Sequence, residues 1–232
     1  MVMSALLKFL FPPPPSLVVS ALSVVSLVSL TNTGFSEMRG KHLNYSKFWN
    51  ATTGDSSKQI KLSSRAGMLM LYTPAFLAGV VSFFIFPNEG IRSTLLQFAV
   101  TLHFLKRDLE VLFVHKYSGY MYLDSAIPIT LSYFVSAATM TYSQHLTVTE
   151  GLPQPQIDLM YPGVAVFLIG IIGNFYHHYL LSKLRGEGEK EYKIPKGTTF
   201  YLVGRSYATR KWYLSKFEDF PKNVKAVIPF IF

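Results

Sequence analysis

Long apolar stretches separated by charged segments dominate the pattern of this chain. A membrane-spanning helix needs about 20 predominantly apolar residues to cross about 30 Å of hydrocarbon. Five stretches approach or reach this length, and we predict a helix in each of them: residues 17–30, 68–86, 93–105, 125–144 and 161–181. For the first, a retained helix is favoured over a signal sequence, because no convincing small-x-small cleavage pattern follows it. The pattern therefore predicts an all-α polytopic membrane bundle with about five spans and a C-terminal tail.

Basic residues test this arrangement independently. Of the 22 Lys and Arg residues, 20 lie between the first and second stretches, between the third and fourth, or after the fifth. Because cytoplasmic loops carry an excess of Lys and Arg, this alternation predicts an outside N-terminus and a cytoplasmic tail. A soluble helical bundle with basic loops is the alternative, which the alternation disfavours.

Composition agrees with a membrane protein and narrows the function. Only 15% of the residues are charged, against about a quarter in soluble globular domains. The net charge of +9 would first indicate nucleic acid in a soluble protein; here it marks the cytoplasmic face, and no nucleic-acid partner is expected. The chain has no cysteine, which excludes disulfides, iron-sulfur clusters and a cysteine nucleophile.

The fifth stretch carries a polar stripe. At 100° per residue, Asn174, His178 and Arg185 lie within about 40° of one another on a continuous helix. Such a stripe is costly in lipid and should face protein, water or a ligand. Its amide, imidazole and guanidinium suit an anionic, amide-bearing ligand such as a nicotinamide dinucleotide. The alternative stays open that Asn174 and His178 pack between helices while Arg185 reaches the headgroups.

Two further features of the sequence involve histidine. His177 and His178 point about 100° apart on a helix, and no His or carboxylate follows four residues after either, so no metal site is predicted. His103, followed closely by Lys106 and Arg107, is a candidate to donate a proton or hydrogen bond to a substrate carbonyl. An interfacial histidine among headgroup-binding cations explains it equally well.

Motifs near the C-terminus resemble a known family. They read YKIPKG at 192–197, KWYL at 211–214, FEDFPK at 217–222 and IPFIF at 228–232. Together they resemble the C-terminal domain of the steroid 5α-reductase family, which includes the trans-2-enoyl-CoA reductases of very-long-chain fatty acid elongation. GNFYHH at 173–178 and the segment 105–115 look more like the enoyl-CoA reductase arm and its plant relatives. The resemblance covers about residues 101–232.

This resemblance implies a multi-pass enzyme of the endoplasmic reticulum that holds NADPH on its cytoplasmic side. The implied reaction reduces a C=C bond conjugated to a carbonyl, in a 3-oxo-4-ene steroid or a trans-2-enoyl-CoA, while a hydrogen-bond donor stabilises the enolate oxygen. Membrane lipid or the substrate itself, and components of a lipid-elongation complex, are the implied partners. By motif matching, the implied cofactor contacts are Asn174, Arg185, Arg205, Tyr213 and, where the steroid branch has an acidic contact, His178.

Departures from the family pattern lower the expected activity. After Gly197 the family continues with a Gly-Leu-Phe segment, a Pro-(Asn or His)-Tyr motif and a further span, which this chain lacks. The second stretch has no counterpart of the family's active-site glutamate, and Phe104, where relatives have tyrosine, cannot donate a hydrogen bond.

These departures set the expected domains and the alternative function. We expect residues 1–66 to form an N-terminal helix and a basic cytoplasmic loop, and residues 67–232 to form a reductase-like membrane domain that is internally shortened after residue 197. We expect weak activity or none. The alternative is a catalytically inactive membrane protein that keeps part of the fold and binds a lipid or a partner.

Overall fold

The structure, a computed structural model, describes residues 2–39, 60–87, 89–117, 119–184 and 214–215. Its elements in chain order are α1 Val2–Leu6, α2 Leu17–Met38, β1 Lys61–Ser63, α3 Ser64–Ile85, α4 Ile91–Phe113, β2 Tyr120–Tyr122, α5 Leu123–Thr149 and α6 Met160–Lys183. Helices dominate, and the predicted all-α membrane bundle is confirmed.

Each of the five predicted stretches forms a helix, α2 to α6. Three of these helices are long and apolar enough to cross a membrane by length and composition: residues 17–36 of α2, all of α3 and all of α6. Helices α4 and α5, with 23 and 27 residues, are long enough but more polar. The chain is thus a multi-pass membrane protein, while the number of five spans and their orientation stay predictions.

One predicted boundary was wrong. The third stretch was expected to end at residue 105 and the charges after it to form a loop, whereas α4 continues to Phe113. Lys106 and Arg107 form ion pairs with Glu110 at spacings of four and three residues. Such pairs stabilise a helix, so the charges extend α4 and an acidic side chain lies inside it.

The core lies between α3, α4 and α5. Gly79 of α3 allows a close approach to α4, because a Cβ there would lie 2.7 Å from Thr101 Oγ1 and 3.1 Å from Thr101 Cα. Gln97 Nε2 of α4 donates to the carbonyl oxygens of Ser82 and Phe86, each at 3.1 Å. The Phe86 carbonyl follows the last residue of α3, where helical partners run out, whereas the Ser82 carbonyl also accepts from the backbone N–H of Phe86 at 2.9 Å. The core cluster comprises Leu71, Tyr72, Ala75, Val100, Phe104, Val111, Met121, Ala126 and Ala137.

A proline inside α3 is accommodated by the neighbouring helix. Pro74 has no N–H to donate to the carbonyl of Met70, one turn earlier. The hydroxyl of Thr130 on α5 lies 3.2 Å from that carbonyl oxygen and 2.9 Å from the carbonyl oxygen of Ala126. A polar group of α5 therefore faces the gap in the hydrogen bonds of α3, as helices in lipid require.

A two-stranded antiparallel sheet that the sequence did not predict joins the starts of α3 and α5. Its register pairs Lys61 with Tyr122, Leu62 with Met121 and Ser63 with Tyr120. Ser63 also caps α3, since its side chain accepts from the backbone N–H of Ala66 at 3.3 Å. The sheet lies at the end of the bundle where α4 terminates, and the loop between α4 and β2 connects the two.

Helix α6 stands at the edge of the described bundle. None of its residues is buried, and it packs against α4. Side chains of residues 174–178 therefore contact the rest of the described bundle through α4. The side chains on both sides of this contact form the candidate site.

Candidate functional site

Charged and polar side chains connect the end of α4 to α6. We call this group the α4–α6 polar cluster; it consists of Lys106, Arg107, Glu110, Asn174 and His178. On α4, Glu110 follows Lys106 by four residues and Arg107 by three, and on α6 Asn174 and His178 are four residues apart. Each of these pairs therefore shares a helix face. The structure thus brings together two residues of the predicted stripe. Arg185, Arg205 and Tyr213 lie outside the described residues.

Glu110 occupies the centre of the cluster. Its side chain is 1% exposed; its Oε1 lies 2.8 Å from Lys106 Nζ, and its Oε2 lies 2.9 Å from Arg107 Nη1 and 2.8 Å from His178 Nδ1. The contact with Lys106 is an ion pair, whereas Oε1 receives no well-directed hydrogen bond. A buried carboxylate is costly unless it is paired, and here two cations and an imidazole surround it.

The α6 members contact both each other and α4. Lys106 donates to Asn174 Oδ1, and the Asn174 amide nitrogen lies 3.5 Å from His178 Nε2. Because an ionised Glu110 can only accept, His178 Nδ1 donates to its Oε2 at 2.8 Å. Arg107 Nη1 lies 2.9 Å from Nδ1 and 3.3 Å from Nε2, and Nε2 is the ring nitrogen left to accept from it. The hydrogen-bond network therefore assigns the neutral tautomer with the proton on Nδ1.

Arg107 anchors the cluster to the core. Its Nη2 donates to the hydroxyl of Tyr72 at 2.5 Å, and its guanidinium carbon lies 4.6 Å from the centroid of the same ring. Tyr72 belongs to α3 and is 4% exposed. The cation is thus held over an aromatic face, and three helices meet at this end of the bundle.

The loop after α4 adds aromatic side chains to the cluster. The His115 ring meets the His178 ring edge-on, with centroids 4.7 Å apart. Burial, together with the neighbouring His178 and Arg107, lowers the pKa of His115 to about 4, so this imidazole is neutral at pH 7. Burial also raises the pKa of Tyr117 above its ordinary value. The loop therefore places uncharged groups beside the two cations.

Glu110, His115 and His178 also place one potential metal-ligand atom each within 4.8 Å of one another. Both oxygens of Glu110, however, already contact Lys106 and Arg107, whose charges oppose a bound cation. That no metal binds here stays a prediction. Sequence reasoning missed this grouping because it considered positions on one helix only, whereas the three residues come from α4, the following loop and α6.

His103, the candidate proton or hydrogen-bond donor, lies one turn before the cluster on α4. It is exposed, and its ring meets that of Phe104 edge-on with centroids 5.0 Å apart. Phe104 is 9% exposed, and its ring centroid lies 5.8 Å from that of Tyr133. This ring contact lies within α4, and the catalytic role of His103 stays a prediction.

An apolar groove of about 240 Å³ borders the cluster. Leu102, Leu105 and Leu109 of α4 face Phe175 of α6 across it. Lys106 and Glu110 of the cluster also line the groove, but its exposed surface is almost entirely apolar. The groove offers room for an aliphatic portion of a ligand next to charged groups.

The helical bundle and this cluster define a multi-pass membrane protein with a cationic site between two helices. Residues 129–208, which include most of α5 and all of α6, match the family model described as 3-oxo-5-alpha-steroid 4-dehydrogenase. This match confirms the predicted resemblance: residues 129–208 are similar in sequence to the steroid 5α-reductase family.

Three relatives show how far the similarity extends. The 3-oxo-5-alpha-steroid 4-dehydrogenase 2 of Macaca fascicularis is 34% identical over 106 residues, which cover 30% of this chain and 42% of the relative. The very-long-chain enoyl-CoA reductase of Dictyostelium discoideum is 33% identical over 105 residues, which cover 44% of this chain and 34% of the relative. The probable very-long-chain enoyl-CoA reductase art-1 of Caenorhabditis elegans is 25% identical over 225 residues, which cover 75% of this chain and 71% of the relative.

The chain spans less than half the length of the macaque and Dictyostelium relatives. The match with the macaque protein extends over 106 residues, nearly half the length of a 232-residue chain, yet it covers only 30% of this chain. The macaque protein therefore has residues within the matched region that have no counterpart here.

Proposed function

We propose that this chain binds NADPH at the α4–α6 polar cluster and uses it to reduce a C=C bond conjugated to a carbonyl in a lipid substrate. The observation that carries the proposal is the convergence of Asn174 and His178 with two cations of α4. Both α6 residues lie inside the segment that matches the 3-oxo-5-alpha-steroid 4-dehydrogenase family. Relatives named as steroid dehydrogenases and as enoyl-CoA reductases support oxidoreductase chemistry on lipids.

The chemistry of the cluster fits the cofactor. Lys106, Arg107 and Glu110 together with a neutral His178 leave one net positive charge, which favours an anionic dinucleotide. Guanidinium and ammonium groups are the usual partners of phosphate, and the Asn174 amide suits a carboxamide. By family resemblance, Arg185, Arg205 and Tyr213 would complete the site. When bound, NADPH supplies the hydride.

The substrate side of the proposal uses the neighbouring groove. Its leucine-lined wall on α4 would receive the aliphatic part of an enoyl-CoA or the rings of a 3-oxo-4-ene steroid. His103 is the candidate hydrogen-bond donor to the substrate carbonyl. We further propose that the protein resides in the endoplasmic reticulum membrane with a cytoplasmic C-terminus, where lipid-elongation components are its partners.

A specific observation favours a second candidate, a catalytically inactive protein that retains binding. No acid lies between Arg65 and Glu89, and the side chain of Phe104 is buried without a hydroxyl. The macaque relative carries residues in the matched region that this chain lacks, which supports an internal shortening relative to that protein. If the chain is instead the reductase proposed first, these departures predict that its turnover is weak.

Deuterium transfer distinguishes the two candidates. The full chain is purified in detergent and incubated with NADPH deuterated at the transferred position, together with a trans-2-enoyl-CoA or a 3-oxo-4-ene steroid, and the product is analysed by mass spectrometry. We expect slow formation of a saturated, deuterium-labelled product with one substrate, which Asn174→Ala abolishes. NADPH binding without labelled product would favour the inactive candidate, and absence of both would contradict the proposed function.

A further inference from the structure

We infer that Glu110 is a positioning residue of the proposed cofactor site. Its buried carboxylate holds His178 and the two cations of α4 in the arrangement that receives the anionic groups of the dinucleotide. This inference rests on the proposed function, and it assigns to Glu110 a role that neither the polar stripe of α6 nor the family match includes.

Exposure separates the acid from the cations around it. The Glu110 side chain is 1% exposed, against 12% for Lys106 and 15% for Arg107. An approaching ligand therefore meets more of the ammonium and guanidinium groups than of the carboxylate. Most of the Glu110 charge faces groups of the protein, which is the property of a residue that orients others.

The charges show what Glu110 has to do. Lys106 and Arg107 are consecutive residues that converge on one carboxylate through different oxygens. Without that carboxylate, the two like charges repel each other near the protein interior, where the low dielectric strengthens the repulsion. The cations would then separate and lose the spacing that a phosphate group requires.

Glu110 also fixes the imidazole of α6. The hydrogen bond from His178 Nδ1 to Oε2, at 2.8 Å, sets both the ring orientation and the tautomer. The amide of Asn174 lies next to the other ring nitrogen, at 3.5 Å. Because no residue of α6 is buried, this hydrogen bond is a principal restraint on the α6 half of the cluster.

A double-mutant cycle on cofactor binding tests this role. Glu110→Gln keeps the shape of the side chain and removes its charge; His178→Ala removes the ring. Asp108→Asn is the matched control, since Asp108 is 8% exposed on the same helix but accepts from Thr73 of α3 at 3.3 Å instead of meeting α6. Each variant of the full chain is purified in detergent and titrated with NADPH by calorimetry.

We expect Glu110→Gln to raise the Kd of NADPH about tenfold, the loss of one charge-assisted hydrogen bond, and Asp108→Asn to change it less than about twofold. If Glu110 acts through His178, the two substitutions are not independent. The Kd of the double variant is then at least about threefold lower than the value obtained by multiplying the two single effects. A merely structural role would give multiplied effects, and Asp108→Asn would weaken binding comparably.

The outcomes separate this inference from the proposed function. Wild-type chain that does not bind NADPH overturns the proposed function and the inference with it. Wild-type binding that Glu110→Gln leaves unchanged, or single effects that multiply, overturns the inference alone. If Glu110→Gln does not stay folded, Glu110→Asp replaces it in the cycle. This variant keeps the negative charge, but its shorter side chain cannot contact the α4 cations and His178 of α6 together. A Kd of NADPH equal to that of the wild type would then overturn the inference.

Discussion

Glu110 remains buried inside a membrane bundle because every group around its carboxylate is a donor or a cation. Lys106 and Arg107 approach from its own helix and His178 from α6. The arrangement also explains why α4 does not end where its apolar stretch ends. Residues that would be costly alone in a low-dielectric environment become tolerable as a connected network.

At the scale of single residues, the sequence predicted the contacts that follow from spacing within one helix. Asn174 and His178 share a face because they are four residues apart, and the structure places them together. Periodicity carries no information on which helix lies opposite, so Glu110 and His115 were not included. The pattern that would have pointed to Glu110 is the pair of basic residues three and four positions before it, which is a helical spacing.

His115 makes stability depend on pH. Its pKa is about 4 in the folded protein and about 6.5 in an unfolded chain, so the unfolded state binds more protons between these values. The contribution of His115 to the free energy of unfolding is therefore greatest above pH 6.5 and decreases as the pH falls towards 4. The free energy of unfolding falls by about 1–2 kcal/mol between pH 7 and pH 5. Denaturant unfolding in detergent micelles at both pH values measures this loss.

His115→Gln serves as the comparison, since other titrating groups contribute equally to both proteins. The variant should lose less stability than wild type between pH 7 and pH 5. Equal losses in the two proteins would show that His115 is not the group responsible.

At the scale of elements, apolar length located the helices but did not determine all of their ends. Helices α3 and α6 begin and end within a few residues of the predicted stretches, whereas ion pairs extend α4 to Phe113. Strands β1 and β2 have three residues each, too few to show an alternating pattern, and their paired residues are 57 to 61 positions apart in the chain. Their pairing could not be read from the sequence.

The close approach of α3 and α4 predicts a selective effect of glycine substitutions. Gly79→Ala would place a methyl group 3.1 Å from backbone atoms of Thr101, which cannot rotate away. We expect the helices to be forced apart at a cost of about 1–3 kcal/mol, which exceeds the gain of about 0.5–1 kcal/mol from the better helix former. The thermal unfolding midpoint in detergent should therefore fall.

Gly170 of α6 is the matched control, because nothing lies within 4 Å of a Cβ added there. Gly170→Ala should leave the midpoint unchanged or raise it slightly. If the two substitutions had the same effect, the close contact between α3 and α4 would be contradicted.

For the whole molecule, the distribution of charge predicts an orientation that can be measured directly. The chain has no cysteine, so single cysteines introduce unique labels. Ser57→Cys lies in the basic segment before α3, and Gln156→Cys lies in the segment between α5 and α6, which lacks Lys and Arg. By the positive-inside rule, a membrane-impermeant maleimide should label the first cysteine in sealed microsomes and the second only after permeabilisation.

Labelling of both positions in sealed microsomes would place the two segments on one side and contradict the predicted topology. The result bears on function, because the α4–α6 polar cluster must lie on the side from which a soluble dinucleotide arrives. Length, composition and charge gave the class of membrane bundle, while the position of α6 against α4 required the structure.

The central claim is that the end of the bundle where α4 meets α6 binds NADPH. Thermal unfolding of the purified full chain with and without NADPH tests it most directly, because a ligand that binds only the folded state stabilises it, by about 2.7 kcal/mol at a concentration one hundred times the Kd. We predict a saturable rise of the unfolding midpoint with NADPH that Lys106→Ala reduces. An unchanged midpoint at millimolar NADPH, or a rise that Lys106→Ala leaves intact, would contradict the account.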